Sequence, residues 1–123
     1  MKHFLILIFF LLESCAILKN KTVDPFLGNY DIIVKDIDGV GDVPASLKIS
    51  EDKNGYVSKI VYEIDGIKND MNIISSYVIE DTTFIIESLI DGSRIDIELY
   101  FEKDFIEGIG AGIYEIEVNR INQ

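Results

Sequence analysis

The sequence predicts an all-β domain, either an up-and-down antiparallel β-barrel or a strongly bent meander of about eight strands. Three observations predict this fold. Apolar residues recur with a period of two from Asp24 onwards, which places them on one face of each strand. Turn residues interrupt the chain at short intervals, and no helical period follows the first fourteen residues. Closure of such strands into a barrel would also remove exposed strand edges.

The first half of the domain contains three predicted strands. Pro44 belongs near the start or the edge of the second strand, because proline cannot donate to a strand ladder. Asp65-Gly66 predicts a hairpin turn after the third strand, since glycine adopts a positive φ at little cost. The inward-facing residues are Tyr30, Ile32 and Val34 in the first strand, Val43, Ala45, Leu47 and Ile49 in the second, and Tyr56, Ile60, Tyr62 and Ile64 in the third.

The second half begins after that turn and contains a second Asp-Gly hairpin turn at Asp91-Gly92. The alternation is clearest from Ile95 to Phe101, where Ile95, Ile97, Leu99 and Phe101 face the core. Ile85 and Ile86 are adjacent and leave the register of their strand ambiguous. The other predicted strand segments are two or three strands within residues 67–79 and 84–90, followed by 105–110 and 113–121.

The charge of the chain argues against two classes of direct binding target, nucleic acids and anionic lipid headgroups. The formal net charge is −11 at pH 7, and loss of residues 1–14 would remove only Lys2 and Glu13 and leave it unchanged. An acidic surface is repelled by phosphates and by anionic lipid headgroups. We therefore expect no nucleic-acid partner, and we attribute the acidity to solubility.

The N-terminus has the layout of an export signal. A basic start at Met1-Lys2-His3 precedes nine apolar residues, Phe4 to Leu12. A membrane-spanning helix needs about 20 apolar residues, so this run is too short to remain as a span. The predicted organisation is a signal peptide at 1–14, a tether at 15–23 and one domain at 24–123.

The end of the apolar run resembles the lipobox of bacterial lipoproteins. Leu12, Ser14 and Cys15 match its pattern, whereas Glu13 departs from the small residue usual at that position. The resemblance implies cleavage between Ser14 and Cys15 and a lipid on the Cys15 thiol, which would anchor the chain in a membrane. Ala16 follows the cysteine, where an aspartate commonly marks retention in the inner membrane, so we expect the outer membrane as the destination.

Both ends of the domain resemble lipocalin-like (calycin-type) domains of small bacterial lipoproteins. The segments that carry this resemblance are Asp24-Pro25-Phe26-Leu27-Gly28-Asn29-Tyr30 and Glu117-Val118-Asn119-Arg120. Those folds begin with Gly-x-Trp and end with an arginine that packs across the aromatic ring. The resemblance implies that Gly28 and Tyr30 take the first two roles and Arg120 the last, with tyrosine in place of tryptophan. We expect this cluster to close the barrel structurally.

The residues needed for most catalysis are absent from the domain. The only histidine is His3 in the leader, and the only cysteine is Cys15. This excludes Ser-His-Asp and Cys-His catalysis and the usual zinc and haem ligands in the domain. We therefore expect no enzymatic activity and no cofactor.

Asp36, Asp38 and Asp42 superficially resemble a calcium loop. The match fails because Val40 stands at the fifth position and Leu47 at the twelfth, where an EF-hand needs oxygen ligands. We interpret this segment as a glycine-rich hairpin between the first two strands, and we expect no metal site.

Two further patterns are also interpreted as structural. Gly108-x-Gly110-x-Gly112 lacks the strand-to-helix context of a phosphate loop, so we expect a bend or bulge there. Paired carboxylates at Asp96/Glu98 and Glu115/Glu117 fall on the predicted outer faces of strands and are interpreted as solvated charge.

Two functions stay open for the domain. One is a structural or protein-interaction module in the cell envelope with a filled barrel. The other is a binding module that holds a small apolar ligand inside the barrel, since a barrel of eight strands is wide enough for either. The bulky predicted interior favours a small or absent cavity and therefore the first function. A cavity of roughly 300 Å³ or more would favour the second.

Overall fold

The computed structural model describes residues 24–121. The predicted leader, Cys15 and the tether lie outside the described residues. Within residues 24–121, no helix is long and apolar enough to cross a membrane. The described chain forms nine strands: β1 Gly28–Ile37, β2 Gly41–Asp52, β3 Gly55–Ile64, β4 Ile67–Asp70, β5 Asn72–Ile79, β6 Thr83–Ile90, β7 Ser93–Phe101, β8 Ile106–Gly110 and β9 Tyr114–Arg120.

The strands form one antiparallel sheet in the order β4-β3-β2-β1-β9-β8-β7-β6-β5. The first and last strands pair with each other, with Tyr30 opposite Arg120 and Val34 opposite Ile116. All other pairs join strands that are consecutive in the chain. The predicted all-β, up-and-down barrel is therefore confirmed as a nearly closed barrel, an architecture compatible with a lipocalin-like fold.

Only Met71 separates β4 from β5, so these two strands at opposite ends of the sheet together take the place of one barrel strand. β4 pairs with β3, and β5 pairs with β6. Near the junction, the Met71 amide donates to the carbonyl oxygen of Ile60 at 2.9 Å. Further along, the Ser76 hydroxyl donates to the Ser58 hydroxyl at 2.7 Å. A side-chain contact thus joins the sheet ends at this seam between β3 and β5.

The inward-facing alternation predicted from the sequence matches the core. Of the residues predicted to face inward, Tyr30, Ile32, Leu47, Ile49, Ile60 and Leu99 are fully buried. Phe84 and Ile86 of β6, whose register the sequence left ambiguous, are fully buried as well. In β6 the register places Phe84, Ile86 and Ser88 inside. Ile85 lies on the other face, between Tyr77 and Glu98 of the neighbouring strands, and these neighbours leave it only 6% exposed.

Asp65-Gly66 and Asp91-Gly92 form hairpin turns, as predicted. Both residues of each pair have positive φ, from 51° to 79°, which is the geometry that Asp-Gly favours. The bend or bulge was expected at Gly108-x-Gly110-x-Gly112. Gly108 and Gly110 keep a regular register in β8, whereas Gly112 lies in the turn between β8 and β9 with a φ of 72°. Glycine is needed at position 108 for a different reason: a Cβ atom there would lie 2.9 Å from Ile116 Cβ on β9.

Candidate functional site

One end of the barrel is closed by the segment that precedes β1. The Phe26 ring packs edge-on against Phe101, with ring centroids 4.8 Å apart. It also contacts Phe84 at 5.7 Å and Tyr56 at 6.1 Å. Phe26 is 5% exposed. The aromatic side chains therefore fill this end, which we call the closed end.

The structure brings together the three residues that the lipocalin resemblance singles out, all at the closed end. The Arg120 guanidinium lies 5.0 Å from the centroid of the Tyr30 ring. It donates to the carbonyl oxygens of Leu27 at 3.3 Å and of Pro25 at 2.5 Å. Gly28 has a φ of 151°, which L side chains rarely adopt, and a Cβ atom there would lie 3.5 Å from Arg120 Nη1. The arrangement is a packing contact.

Tyr30 is fully buried and donates a hydrogen bond of 2.6 Å to the carbonyl oxygen of Phe26. Burial raises the pKa of the Tyr30 hydroxyl, the nearby Arg120 cation opposes this, and Asp24 adds to it. The hydroxyl therefore stays protonated at neutral pH and acts as a donor. This bond holds the backbone of Phe26, whose ring fills the closed end.

A hydrogen bond between Tyr56 and Asp24 also holds the segment that precedes β1. The sequence did not predict this contact. The Tyr56 hydroxyl donates to Asp24 Oδ2 at 2.5 Å, and Asp24 Oδ1 accepts from the Phe26 amide at 2.9 Å. The hydrogen bond to Asp24 is the main cause that raises the pKa of Tyr56 to about 12. The only signal in the sequence was Asp-Pro, a common start of a turn.

The other end of the barrel contains a cavity of about 350 Å³ and is called the open end. Among the described residues that line it, only Tyr62, Asp91 and Tyr114 carry polar side-chain atoms. Asp91 lies on a hairpin turn and is exposed, whereas the two tyrosines are partly buried. The aliphatic lining includes Ile32, Val34, Ile37, Val43, Ala45, Ile60, Ile64, Ile95, Ile97 and Ile116.

The expectation of a small or absent cavity is wrong. The volume exceeds the roughly 300 Å³ at which ligand pockets begin. The bulky residues counted in the sequence are distributed unevenly, because the phenylalanines Phe26, Phe84 and Phe101 gather at the closed end. Small residues line the open end at Ala45, Gly110 and Ala111.

A wider depression of about 680 Å³ lies on the outside of the closed end. Its floor includes Phe26, but its walls carry charged side chains, among them Glu102, Lys103, Asp104 and Arg120. The loop that holds residues 102–105 is exposed. This depression is a solvated groove, and the apolar cavity at the open end is the better candidate for a binding site.

The aspartates that resemble a calcium loop organise the β1–β2 hairpin. Asp42 Oδ1 accepts from the Asp36 amide at 3.0 Å, and Asp42 Oδ2 lies 3.3 Å from Lys35 Nζ. The Asp36 amide and then Lys35 hold the pKa of the Asp42 carboxyl below its usual value. Among residues 24–121, no three His, Cys, Asp or Glu side chains come together as a possible metal site.

Three of the four paired carboxylates contact neighbours on the outer face. Asp96 lies 3.1 Å from Arg94, Glu98 accepts from the Tyr100 hydroxyl at 2.5 Å, and Glu117 lies 3.7 Å from Lys35. Glu115 is exposed. None of these four carboxylates lines the apolar cavity at the open end.

Comparison of the chain with protein-family models, with curated proteins and with solved structures found no match. The strand order and the packing define the class: a nearly closed, up-and-down antiparallel barrel with one end filled by aromatic side chains and an apolar cavity at the other.

Proposed function

We propose that this chain is a lipid-anchored lipoprotein of the cell envelope whose lipocalin-like barrel binds a small apolar ligand without catalysis. The single observation that supports binding is the apolar cavity of about 350 Å³ at the open end. Pockets for small molecules start at roughly 300 Å³ and are lined mostly by apolar side chains with a few polar groups. The anchor rests on the resemblance of Leu12, Ser14 and Cys15 to a lipobox, and Ala16 favours the outer membrane.

Ligand binding would draw on the hydrophobic effect. Each Å² of apolar surface removed from water contributes roughly 25 cal/mol, before the costs of association are subtracted. A cavity of this size suits one small apolar molecule. The strands that line the cavity are held by the barrel ladder, so the site is formed before a ligand arrives.

A neutral apolar dye, N-phenyl-1-naphthylamine, tests this proposal by its fluorescence gain on entering an apolar site. Ala45 points into the cavity and Ser46 is its exposed neighbour on β2. We expect Ala45→Leu to fill part of the cavity and to weaken dye binding roughly tenfold, about 1.4 kcal/mol. Ser46→Leu adds the same side chain to the outer face and should leave binding unchanged.

The assay uses the full-length Cys15→Ser chain, which offers no lipid to the dye, and each variant is compared in that background. Circular dichroism melts establish that both leucine variants are folded. Equal dye binding by the two variants, or no binding by the parent, contradicts the proposal.

A second candidate is the structural or protein-interaction module. It is favoured by apolar side chains exposed on or near the edge strand β5, where Ile74 is 51% exposed, Tyr77 41% and Ile79 43%. A sheet edge with exposed apolar residues can pair with another chain. Absence of dye binding together with a partner captured by chemical cross-linking through β5 would favour this function.

A further inference from the structure

The charges at the open end set a preference for one chemical class of ligand. Of the charged side chains in the described residues, only Asp91 lines the cavity. It belongs to the turn between β6 and β7, at the rim. A ligand whose tail fills the apolar cavity would therefore place its polar end near the Asp91 carboxylate.

The other hairpins at this end add negative charge. The β1–β2 hairpin carries Asp36, Asp38 and Asp42, and the β3–β4 turn carries Asp65. The hairpins at this end thus carry four aspartates besides Asp91, but none of the four lines the cavity and Asp42 is paired with Lys35. Asp91 is therefore the charge that a ligand in the cavity would meet first.

The cations near this end are already engaged by carboxylates on the outer face. Lys35 Nζ lies 3.3 Å from Asp42 and 3.7 Å from Glu117. Arg94 forms ion pairs with Glu87 and, at 3.1 Å, with Asp96.

The third cation, Lys68 on β4, stands opposite Glu63 on β3 in the strand register. Among the described residues, no lysine or arginine lines the cavity to balance the charge of an anionic ligand.

We infer that the cavity selects apolar amines, with a cationic polar end, over apolar carboxylates of the same chain length. This inference rests on the proposed function. The tail would occupy the aliphatic cavity, and the ammonium group would lie near Asp91 and the partly buried rings of Tyr62 and Tyr114, which also attract cations. A carboxylate at the same place would meet Asp91 with no counter-ion from the lining.

Competition between two ligands that differ only in their polar end tests this inference. Decylamine and decanoate carry opposite charges at about pH 7.5, and each is titrated against N-phenyl-1-naphthylamine bound to the full-length Cys15→Ser chain. We expect decylamine to displace the dye at a concentration at least about fivefold lower than decanoate. High salt should reduce this ratio, because the opening is exposed to solvent.

Asp91→Asn removes the charge and retains the hairpin, since Asn-Gly is as suitable for this turn type as Asp-Gly. We expect the preference for the amine, measured as the decanoate concentration needed to displace the dye divided by the decylamine concentration, to fall by about two- to fivefold. This is the range for one solvent-exposed charge pair. Asp104→Asn removes an exposed aspartate near the closed end and should leave the ratio unchanged.

Two results overturn the inference: decanoate that competes as well as decylamine, or an Asp91→Asn ratio equal to that of the parent. In both, the dye still binds and the proposed function stands. Failure of the dye to bind contradicts the proposed function itself and the inference with it.

Discussion

Arg120 connects the last strand to the segment that plugs the barrel. Its guanidinium lies over the Tyr30 ring and donates to two backbone carbonyls that are 93 and 95 positions earlier in the chain. Hydrogen bonds to charged groups contribute about 1.5–3 kcal/mol each when buried, and less where solvent competes. Because one side chain makes all three contacts, its loss would free both the plug and the end of β9.

We expect Arg120→Ala to lower the free energy of unfolding by about 1–3 kcal/mol. Arg94→Ala is the matched control, since Arg94 forms ion pairs only on the outer face with a side chain that is 56% exposed. Its loss should cost less than about 1 kcal/mol. Urea unfolding of the two variants measures the difference. Equal destabilisation would show that Arg120 contributes no more than a surface charge.

Sequence reasoning reached Arg120 through the motif at each end of the domain, and it failed at Asp24 and Phe26. The arginine and Tyr30 belong to strands, where alternation assigns each residue to a face. Asp24 and Phe26 belong to an irregular segment, and no periodicity predicts where such side chains point. The hydrogen bond from Tyr56 to Asp24 spans 32 positions and depends on tertiary structure alone.

The pairing of β8 with β9 depends on a glycine that the sequence could not explain. Gly108 faces Ile116 across the two strands. A Cβ atom at position 108 would lie 2.9 Å from Ile116 Cβ and 3.1 Å from Leu99 Cδ2. Ile116 Cβ is bonded directly to the backbone, and Ile116 and Leu99 are both buried in the packed core, so neither has much room to move.

Gly108→Ala should therefore destabilise the domain by about 1–3 kcal/mol, the usual cost of overpacking a core. Gly110→Ala is the matched control on the same strand. Its added Cβ atom would lie 3.2 Å from Ile116 Cδ1, the flexible end of that side chain, next to the cavity. We expect a cost below about 1 kcal/mol there. Thermal melts of both variants measure the costs, and a larger loss for Gly110→Ala would contradict this account.

The strands themselves were predictable where one face is buried and the other is exposed to solvent. The alternation from Ile95 to Phe101 specified both the strand and its inner face. Whether residues 67–79 form one strand or two stayed open, because they contain no glycine or proline and only Asn69, Asp70 and Asn72 mark the break between β4 and β5. At Met71 the chain stops pairing with β3 and begins to pair with β6. The position of this change follows from closure of the barrel rather than from local sequence.

The folded domain has two unlike ends. Phe26, Tyr30 and their aromatic neighbours fill the closed end, whereas aliphatic and small side chains leave space at the open end. Composition alone could not predict this, since it averages the interior over the whole barrel. The difference between the two ends matters for a protein anchored at its N-terminus. The chain enters the described domain at Asp24, beside the closed end, so an N-terminal anchor would attach at the end away from the cavity.

Replacement of the proposed lipid attachment residue tests this arrangement. Cys15→Ser removes the only thiol in the sequence that could carry a thioether lipid. A stable membrane anchor needs at least two acyl chains or an equivalent second signal, and the serine variant would lack the thioether-linked chains. We expect the variant to lose incorporation of radioactive fatty acid and to move from the membrane fraction to the soluble fraction. Its thermal melt should match that of the parent domain, because Cys15 precedes all nine strands of the barrel. Fatty-acid labelling that persists in the serine variant would contradict the anchor, whereas a lowered melting temperature would show that residues before Asp24 contribute to the fold.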